Sequence, residues 1–200
     1  MADIALLRPR GFEPVDDLAF ARAIVAGYAP WCAAQGVERA RILDFIDAHP
    51  LDAHQRECVP GHLTGATILV DAARERVLLH HHAKLDRWLQ FGGHADGDAN
   101  LRGVAWRETV EESGIVPAWV SEAPIDLDVH EIPARPARGD RGAEPLHLHL
   151  DVRYLAVAPD GAAYVRSDES HALGWFTRAE AERLDLDDSI ARLITLALGR

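Results

Sequence analysis

One stretch of the chain, Gly92 to Ile115, reads GGHADGDANLRGVAWRETVEESGI and sets a glycine-rich loop carrying Asp96 and Asp98 against a helical segment ending in glutamates. At about 100° of rotation per helical residue, Glu108, Glu111 and Glu112 fall within an arc of roughly 100°, while Trp106 and Val110 point the other way. Like charges three and four residues apart destabilise an isolated helix by about 0.2–0.5 kcal/mol per pair. Arg107 is a single positive charge at the edge of that arc, so the cluster calls for a further cation. A hard divalent ion that takes carboxylate oxygens together with substrate phosphate oxygens fits it better than a solvated acidic face ended by Gly114.

The same residues resemble the signature of the Nudix hydrolase family: a glycine, five residues, Glu, seven residues, then Arg-Glu-aliphatic-x-Glu-Glu-x-Gly-aliphatic. Gly93, Arg107, Glu108, Glu111, Glu112, Gly114 and Ile115 match in spacing. The resemblance implies an α/β fold, an α/β/α sandwich with a mixed sheet, and extends over roughly residues 61–198. It also implies a hydrolase that cleaves a diphosphate linkage in a nucleoside diphosphate derivative or related small molecule, with Mg²⁺ or Mn²⁺ as cofactor. On that basis Glu111 and Glu112 are the main metal ligands and Glu108 is a ligand or general base. The main-chain carbonyl near Gly92 or Gly93 is a further ligand, and Arg107 orients the carboxylates. A late acidic residue is often recruited in this family, and Glu169, with Asp168 behind it, is the candidate here.

Two positions depart from the signature. Thr109 replaces an aliphatic, and its hydroxyl needs a partner if it is buried. Ala99 stands where the signature has its first Glu; Asp98, one residue earlier, is the candidate substitute and a candidate metal ligand. If that substitution fails, the alternative is a noncatalytic Nudix-like binding or sensing module.

Charge narrows the partners. The net charge of −11 argues against a nucleic-acid polymer or an anionic membrane, both of which need a basic surface. Cys32 and Cys58 lack CxxC spacing, which favours a reducing compartment. The N-terminal stretch has no signal-peptide pattern, and no run reaches the roughly 20 apolar residues of a membrane span, so a cytoplasmic protein is expected. A length of 200 residues suits one ordinary domain plus an appendage, and a homodimer is the default for a small enzyme.

In chain order, residues 1–60 read as a helical N-terminal extension. Asp16 and Asp17 can cap a helix bearing Leu18, Ala21, Ile24, Val25 and Tyr28, which Pro30 ends. A second helix runs from about Val37 to Ala48 and presents Ala40, Leu43, Phe45 and Ile46. Residues 61–200 form the catalytic domain. Strands are expected at Thr64–Val70, Arg76–His82, a short run at Trp88–Phe91, Val120–Ile132, Leu146–Ala158, Ala163–Val165 after an Asp160-Gly161 hairpin, and Leu173–Phe176. Thr177 can cap a helix over Arg178–Leu184, and Ser189–Leu198 is an amphipathic helix. Pro133–Pro145 reads as a loop with three arginines, Arg135, Arg138 and Arg141, suited to phosphates if it borders a pocket.

The histidines need separate treatment. His80, His81 and His82 are consecutive on a strand, so they cannot all face one site, and they read as edge or pocket packing. His147, His149 and Asp151 alternate onto one strand face and read either as pocket lining or as a zinc site. His94, Lys84 and His149 are the candidate substrate contacts, His94 because it follows the glycines directly and Lys84 because it can reach a phosphate.

Overall fold

The computed structural model describes residues 4–137 and 142–199. Its centre is β2 (Gly61–Val70), a run of ten residues buried throughout. Burial along the whole strand is the pattern expected where both faces of a sheet are covered. β2 pairs in parallel with β8 (His147–Val157), from Gly61↔Leu148 to Val70↔Val157. Its other edge is shared. The first part of β2 pairs with β5 (Phe91–His94) through Thr64↔His94 to Thr67↔Phe91, and its end pairs with β3 (Arg76–His82) through Leu69↔Leu78 and Val70↔Val77. β3 carries β4 (Arg87–Leu89) and β9 (Ser170–Thr177), while β8 carries β6 (Trp119–Ser121) and β7 (Asp126–Ile132). The short β1 (Leu6–Leu7) pairs with β6 and completes a mixed nine-stranded sheet among the described residues.

Helices cover both faces. α3 (Leu101–Ser113) lies against β2 so closely that a Cβ on Gly65 would sit 2.4 Å from the Leu101 carbonyl oxygen, and Thr67 Oγ1 donates to the Ala105 carbonyl at 3.0 Å. Only glycine at position 65 permits that approach. On the opposite face, α5 (Asp188–Leu198) buries Ile190, Leu193, Ile194 and Ala197 against Ile68, Val70, Val77 and Leu79. Each fully buried aliphatic side chain of this kind contributes roughly 1.5–3 kcal/mol. α4 (Arg178–Ala181) opens with a capping box in which Thr177 and Glu180 exchange hydrogen bonds, as Thr177 suggested.

The N-terminal helices α1 (Leu18–Gly27) and α2 (Ala33–Ala48) add Leu18, Ala21, Val25, Tyr28, Ile42 and Ile46 to the core that holds Leu63, Leu127 and Leu150. Gln35 is buried between them and the sheet. It accepts from Tyr28 Oη at 2.6 Å and from the Leu127 N–H at 2.9 Å, and it donates to the Leu127 carbonyl at 2.9 Å. A polar side chain that mimics a strand neighbour in this way satisfies the outer edge of β7.

Several expected elements differ. α2 starts four residues earlier than Val37; of the expected inward set Ile46 is buried and Leu43 and Phe45 pack on the core, Ala40 is exposed, and Gln35 and Ile42 are the further buried positions. The single strand expected over Val120–Ile132 is two, β6 and β7, with a bend that contains Pro124 between them. Asp160 and Gly161 do form a turn, with Gly161 at φ 68°, but residues 163–165 make no strand; the Val165 N–H instead donates to the Ser113 carbonyl at 2.7 Å. The Gly92-Gly93 pair expected in a loop belongs to β5. Arg135 and Glu144 bridge across the 133–145 segment, whereas Arg138 and Arg141 lie outside the described residues.

Candidate active site

The helix that carries the glutamates is fixed at both ends by its own sequence. Asn100 caps α3 by accepting from the Gly103 N–H at 3.3 Å, and Gly114 ends it in the left-handed conformation at φ 69°. Thr109 is buried, and its hydroxyl donates to the Ala105 carbonyl at 2.7 Å, which supplies the partner that this departure from the signature required.

α3 crosses β5 so that residues one turn apart meet successive glycines. The Gly92 N–H donates to Glu112 Oε2 at 3.0 Å. A Cβ at Gly93 would fall 2.5 Å from the Glu108 carboxylate carbon, so this glycine is what lets Glu108 lie against the main chain. Glu112 is buried, Glu108 is half-buried and Glu111 is exposed. Burial pushes the Glu112 carboxyl up to about 8, with the charges of Glu108, Glu169 and Glu111 adding to the push and the Gly92 N–H opposing it. Burial, with the charges of Glu111, Glu169 and Asp96, likewise pushes Glu108 up to about 7 against the pull of Arg107. Among the described residues no lysine or arginine forms an ion pair with any of the three.

Glu169 is exposed just before β9, and its main-chain carbonyl accepts from the Ala83 N–H at 2.8 Å. Its charge adds to the upward push on both helix carboxylates. Lys84 is exposed on the turn after β3, where its N–H donates to His82 Nδ1 at 3.1 Å and its charge, like that of Glu169, acts on His82.

Arg107 reaches from α3 to the loop. Its guanidinium nitrogens lie 3.3 and 3.4 Å from Asp98 Oδ2, and Asp98 Oδ1 accepts from the Val15 and Asn100 N–H groups at 3.0 and 2.9 Å. Asp98 is buried, and every one of these contacts ties the loop to α3 and to the N-terminal segment. The side chain that Arg107 holds by hydrogen bonds is thus Asp98, while its charge also favours the ionised form of Glu108. Ala99 is fully buried, and its N–H bonds the Val15 carbonyl at 2.6 Å, so the position of the signature Glu has become part of the core. Arg56 forms a bidentate pair with Asp96, in which Nε lies 2.6 Å from Oδ1, and so secures the loop at Asp96 and Gly97, whose φ angles are 48° and 89°.

Behind Glu112 stand His80, expected only as edge or pocket packing, and Ser170, which the sequence did not single out. His80 is buried, its Nδ1 is 2.8 Å from Ser170 Oγ and 3.8 Å from Glu112 Oε1, and its ring packs on Phe91. Burial pushes its imidazole down to about 4, with His82 adding to the effect. Of the three consecutive histidines, this one faces the carboxylates; strand alternation made one such residue plausible, but only the register with β9 selects it.

His94 and His149 stand elsewhere. Gly65 and Thr67 face α3, so alternation turns Thr64 and His62 of β2, with their neighbours His94, His149 and Asp151, to the opposite face. The three candidate substrate contacts are thus divided: Lys84 stands with Glu169, while His94 and His149 share the other face. The grouping of Asp151 with His147 and His149 is also corrected. Asp151 accepts from Arg153 Nε at 2.7 Å and from Thr64 Oγ1 at 3.0 Å, and belongs to a buried ion network with Asp126, Asp128 and Arg192. Strand parity showed the shared face, but not that Arg153, two residues on, would claim the carboxylate.

A mixed sheet between helices, with helix carboxylates packed on two strand glycines, defines an α/β protein equipped to bind a cation. A model of the NUDIX domain matches residues 61–197. Among solved structures, the chain is similar to a hydrolase of the NUDIX family from Clostridium perfringens, at 21% identity over 74% of this chain and 97% of that chain, with a TM-score of 0.49. It is also similar to the NUDIX domain of Shewanella oneidensis NrtR complexed with ADP ribose, at 20% identity over 79% of this chain and 95% of that chain, TM-score 0.48. An Ap4A hydrolase from C. elegans in a binary complex is 16% identical over 67% of this chain and 93% of that chain, TM-score 0.49. No curated protein sequence matches. The chain belongs to the Nudix family. No helix among the described residues is long and apolar enough to cross a membrane.

Proposed function

We propose that the protein cleaves a diphosphate linkage in a nucleoside diphosphate derivative or a related small molecule, with Mg²⁺ or Mn²⁺ held by Glu108, Glu111, Glu112 and the main-chain carbonyl of Gly93. The observation that carries this reading is the packing of two helix carboxylates one turn apart, Glu108 and Glu112, on the main chain of Gly93 and Gly92, with no lysine or arginine paired to them among the described residues. An oxygen-only donor set of this kind suits a hard divalent ion. Such an ion neutralises charge on phosphoryl oxygens and lowers the pKa of a bound water.

The chain's own residues do the rest. Glu112 is fixed through Oε2 by the Gly92 N–H, and its Oε1 stands 3.8 Å from His80 Nδ1, so the carboxylate plane is held from two sides. Glu108 lies against Gly93 with its other side open to the cluster and is the candidate acceptor for the proton of an attacking water. Glu169 adds a fourth carboxylate from the edge, and Lys84, on the neighbouring turn, can meet a phosphate oxygen. Asp98 supports the site by fixing Arg107 and the loop.

The test is phosphate or nucleotide release from a panel of nucleoside diphosphate derivatives with Mg²⁺ or Mn²⁺, run beside Glu111→Gln and Glu112→Gln. Metal-dependent turnover that both variants lose supports the assignment. Full turnover in both variants removes it.

A further inference from the structure

We infer that His62, His94 and His149 form a second metal site, separate from the carboxylates, that takes a transition-metal ion of the zinc class. The three residues come from β2, β5 and β8, and one ring nitrogen from each lies within 4.8 Å of the others. His94 Nε2 and His149 Nε2 are 3.3 Å apart. Two imidazole nitrogens that each ligate a tetrahedral zinc at about 2.0–2.1 Å are themselves about 3.3 Å apart.

A hydrogen bond between His94 and His149 accounts for that separation equally well, and His62 decides between the two. Its side chain is 3% exposed, yet neither of its ring nitrogens has a hydrogen-bond partner among the described residues. Its ring stands 4.8 Å from that of His94 and 4.9 Å from that of His149, so its orphaned nitrogens have those two rings as neighbours. Burying an unpartnered polar group is costly, and a metal bond satisfies it where another imidazole has not.

A fourth histidine lies against the set. His147 stacks on His62 with centroids 5.0 Å apart, and its Nδ1 is 2.9 Å from the Pro145 carbonyl oxygen. That bond places the proton on Nδ1 and leaves Nε2 buried and without a hydrogen bond, its nearest ion-pair partner being Glu144 Oε1 at 3.9 Å. A ring fixed through Nδ1–H to a carbonyl is the arrangement that orients histidine ligands. Imidazole-only donors favour zinc, cobalt, nickel or copper over magnesium. An ion here would join the edge strand β5 to β2 and β8 at the residue after Gly93.

The test uses the full chain, stripped with chelator, in a Glu111→Gln/Glu112→Gln background so that the carboxylate site does not contribute. Titration with Co²⁺ should give one equivalent of binding with the visible absorption of a tetrahedral nitrogen-ligated ion, and Zn²⁺ should displace it and raise the thermal midpoint. His62→Ala and, independently, the half-buried His94→Gln should each weaken binding at least tenfold; the second variant keeps the test sharp if the first fails to fold. Absence of the absorption band and of any rise in midpoint, or unchanged binding in folded histidine variants, overturns the site.

Discussion

The main-chain N–H of Gly92 donates to Oε2 of Glu112 at 3.0 Å, which makes the first strand glycine and the last helix glutamate one structural unit. One turn earlier, the Glu108 carboxylate lies close against Gly93, in the space a Cβ would take. The spacing of four between the glutamates and of one between the glycines reflects a helix turn laid across a strand, each advancing by one side chain. Glycine is needed at 93 because a Cβ there would strike the Glu108 carboxylate, and at 92 because a Cβ there would strike Ala66 of β2.

Glu112→Gln separates the chemistry from the fold. The carboxyl is pushed up to about 8, so in the metal-free protein its ionised form opposes folding, and stability falls as pH rises from the ordinary carboxylate range through about 8. An amide keeps the size and can still accept from the Gly92 N–H. The variant should therefore match or exceed the parent in thermal midpoint at neutral pH without metal, yet lose about 10²–10³-fold in turnover, the scale on which preorganised electrostatic groups act. Midpoints by differential scanning fluorimetry and initial rates with Mg²⁺ check both halves.

Gly93→Ala adds one methyl where there is no room for it, 2.5 Å from the Glu108 carboxylate carbon. Either Glu108 swings away or β5 shifts. Overpacking of this kind costs about 1–3 kcal/mol. Metal affinity measured by calorimetry should fall together with turnover. A variant that binds metal as well as the parent would show that Glu108 does not need the close approach.

How far the sequence foretold this depends on whether an interaction is local. The Asn100-to-Gly114 helix, its shared glutamate face and the Thr177 capping box all depend on residues within a few positions, so spacing and turn chemistry suffice to read them. Strand parity likewise placed His147, His149 and Asp151 on one face. What parity could not show was which strands lie alongside: the β2–β8 register brings His62 opposite His149 and Thr64 opposite Asp151, and the β3–β9 register brings His80 to Ser170. Buried polar residues such as Gln35 and Arg153 were unreadable for the same reason, since their partners are distant in the chain.

Asp98→Asn tests whether the residue beside the displaced signature position supports the loop or binds metal. The side chain now accepts from Val15, Asn100 and Arg107, and loss of its charge weakens the pair with Arg107. The expected cost is about 1–3 kcal/mol in urea unfolding, as for a hydrogen-bonded charge in a buried setting. If the role is loop support, the Mg²⁺ concentration for half-maximal rate stays near the parent value. A large rise in that concentration at unchanged stability assigns Asp98 to the metal instead.

Arg153 lies fully buried between three aspartates, with Nε 2.7 Å from Asp151 and its outer nitrogens 3.3 and 3.1 Å from Asp126 and Asp128. Arg192 of α5 reaches Asp126 and Asp128 at 2.9 and 2.8 Å, so the network joins β7, β8 and the closing helix. Replacement with Met would leave three carboxylates without their shared cation, and removal of one partner from a buried pair costs about 3–5 kcal/mol. Acid should act on the same network. Burial alone would raise the Asp128 carboxyl, but His130 and the guanidiniums of Arg153 and Arg192 hold it well below its ordinary value of 3.8. A carboxylate with a lowered folded value contributes stability that is present above the unfolded value and lost as pH falls below it. Urea midpoints taken from about pH 5 down to about pH 3 should therefore decline in the parent, with Asp128 contributing up to about 1.4 kcal/mol per pH unit. Asp128→Asn should start lower at pH 5 and decline less steeply, and equal slopes would show that the network does not carry the acid sensitivity.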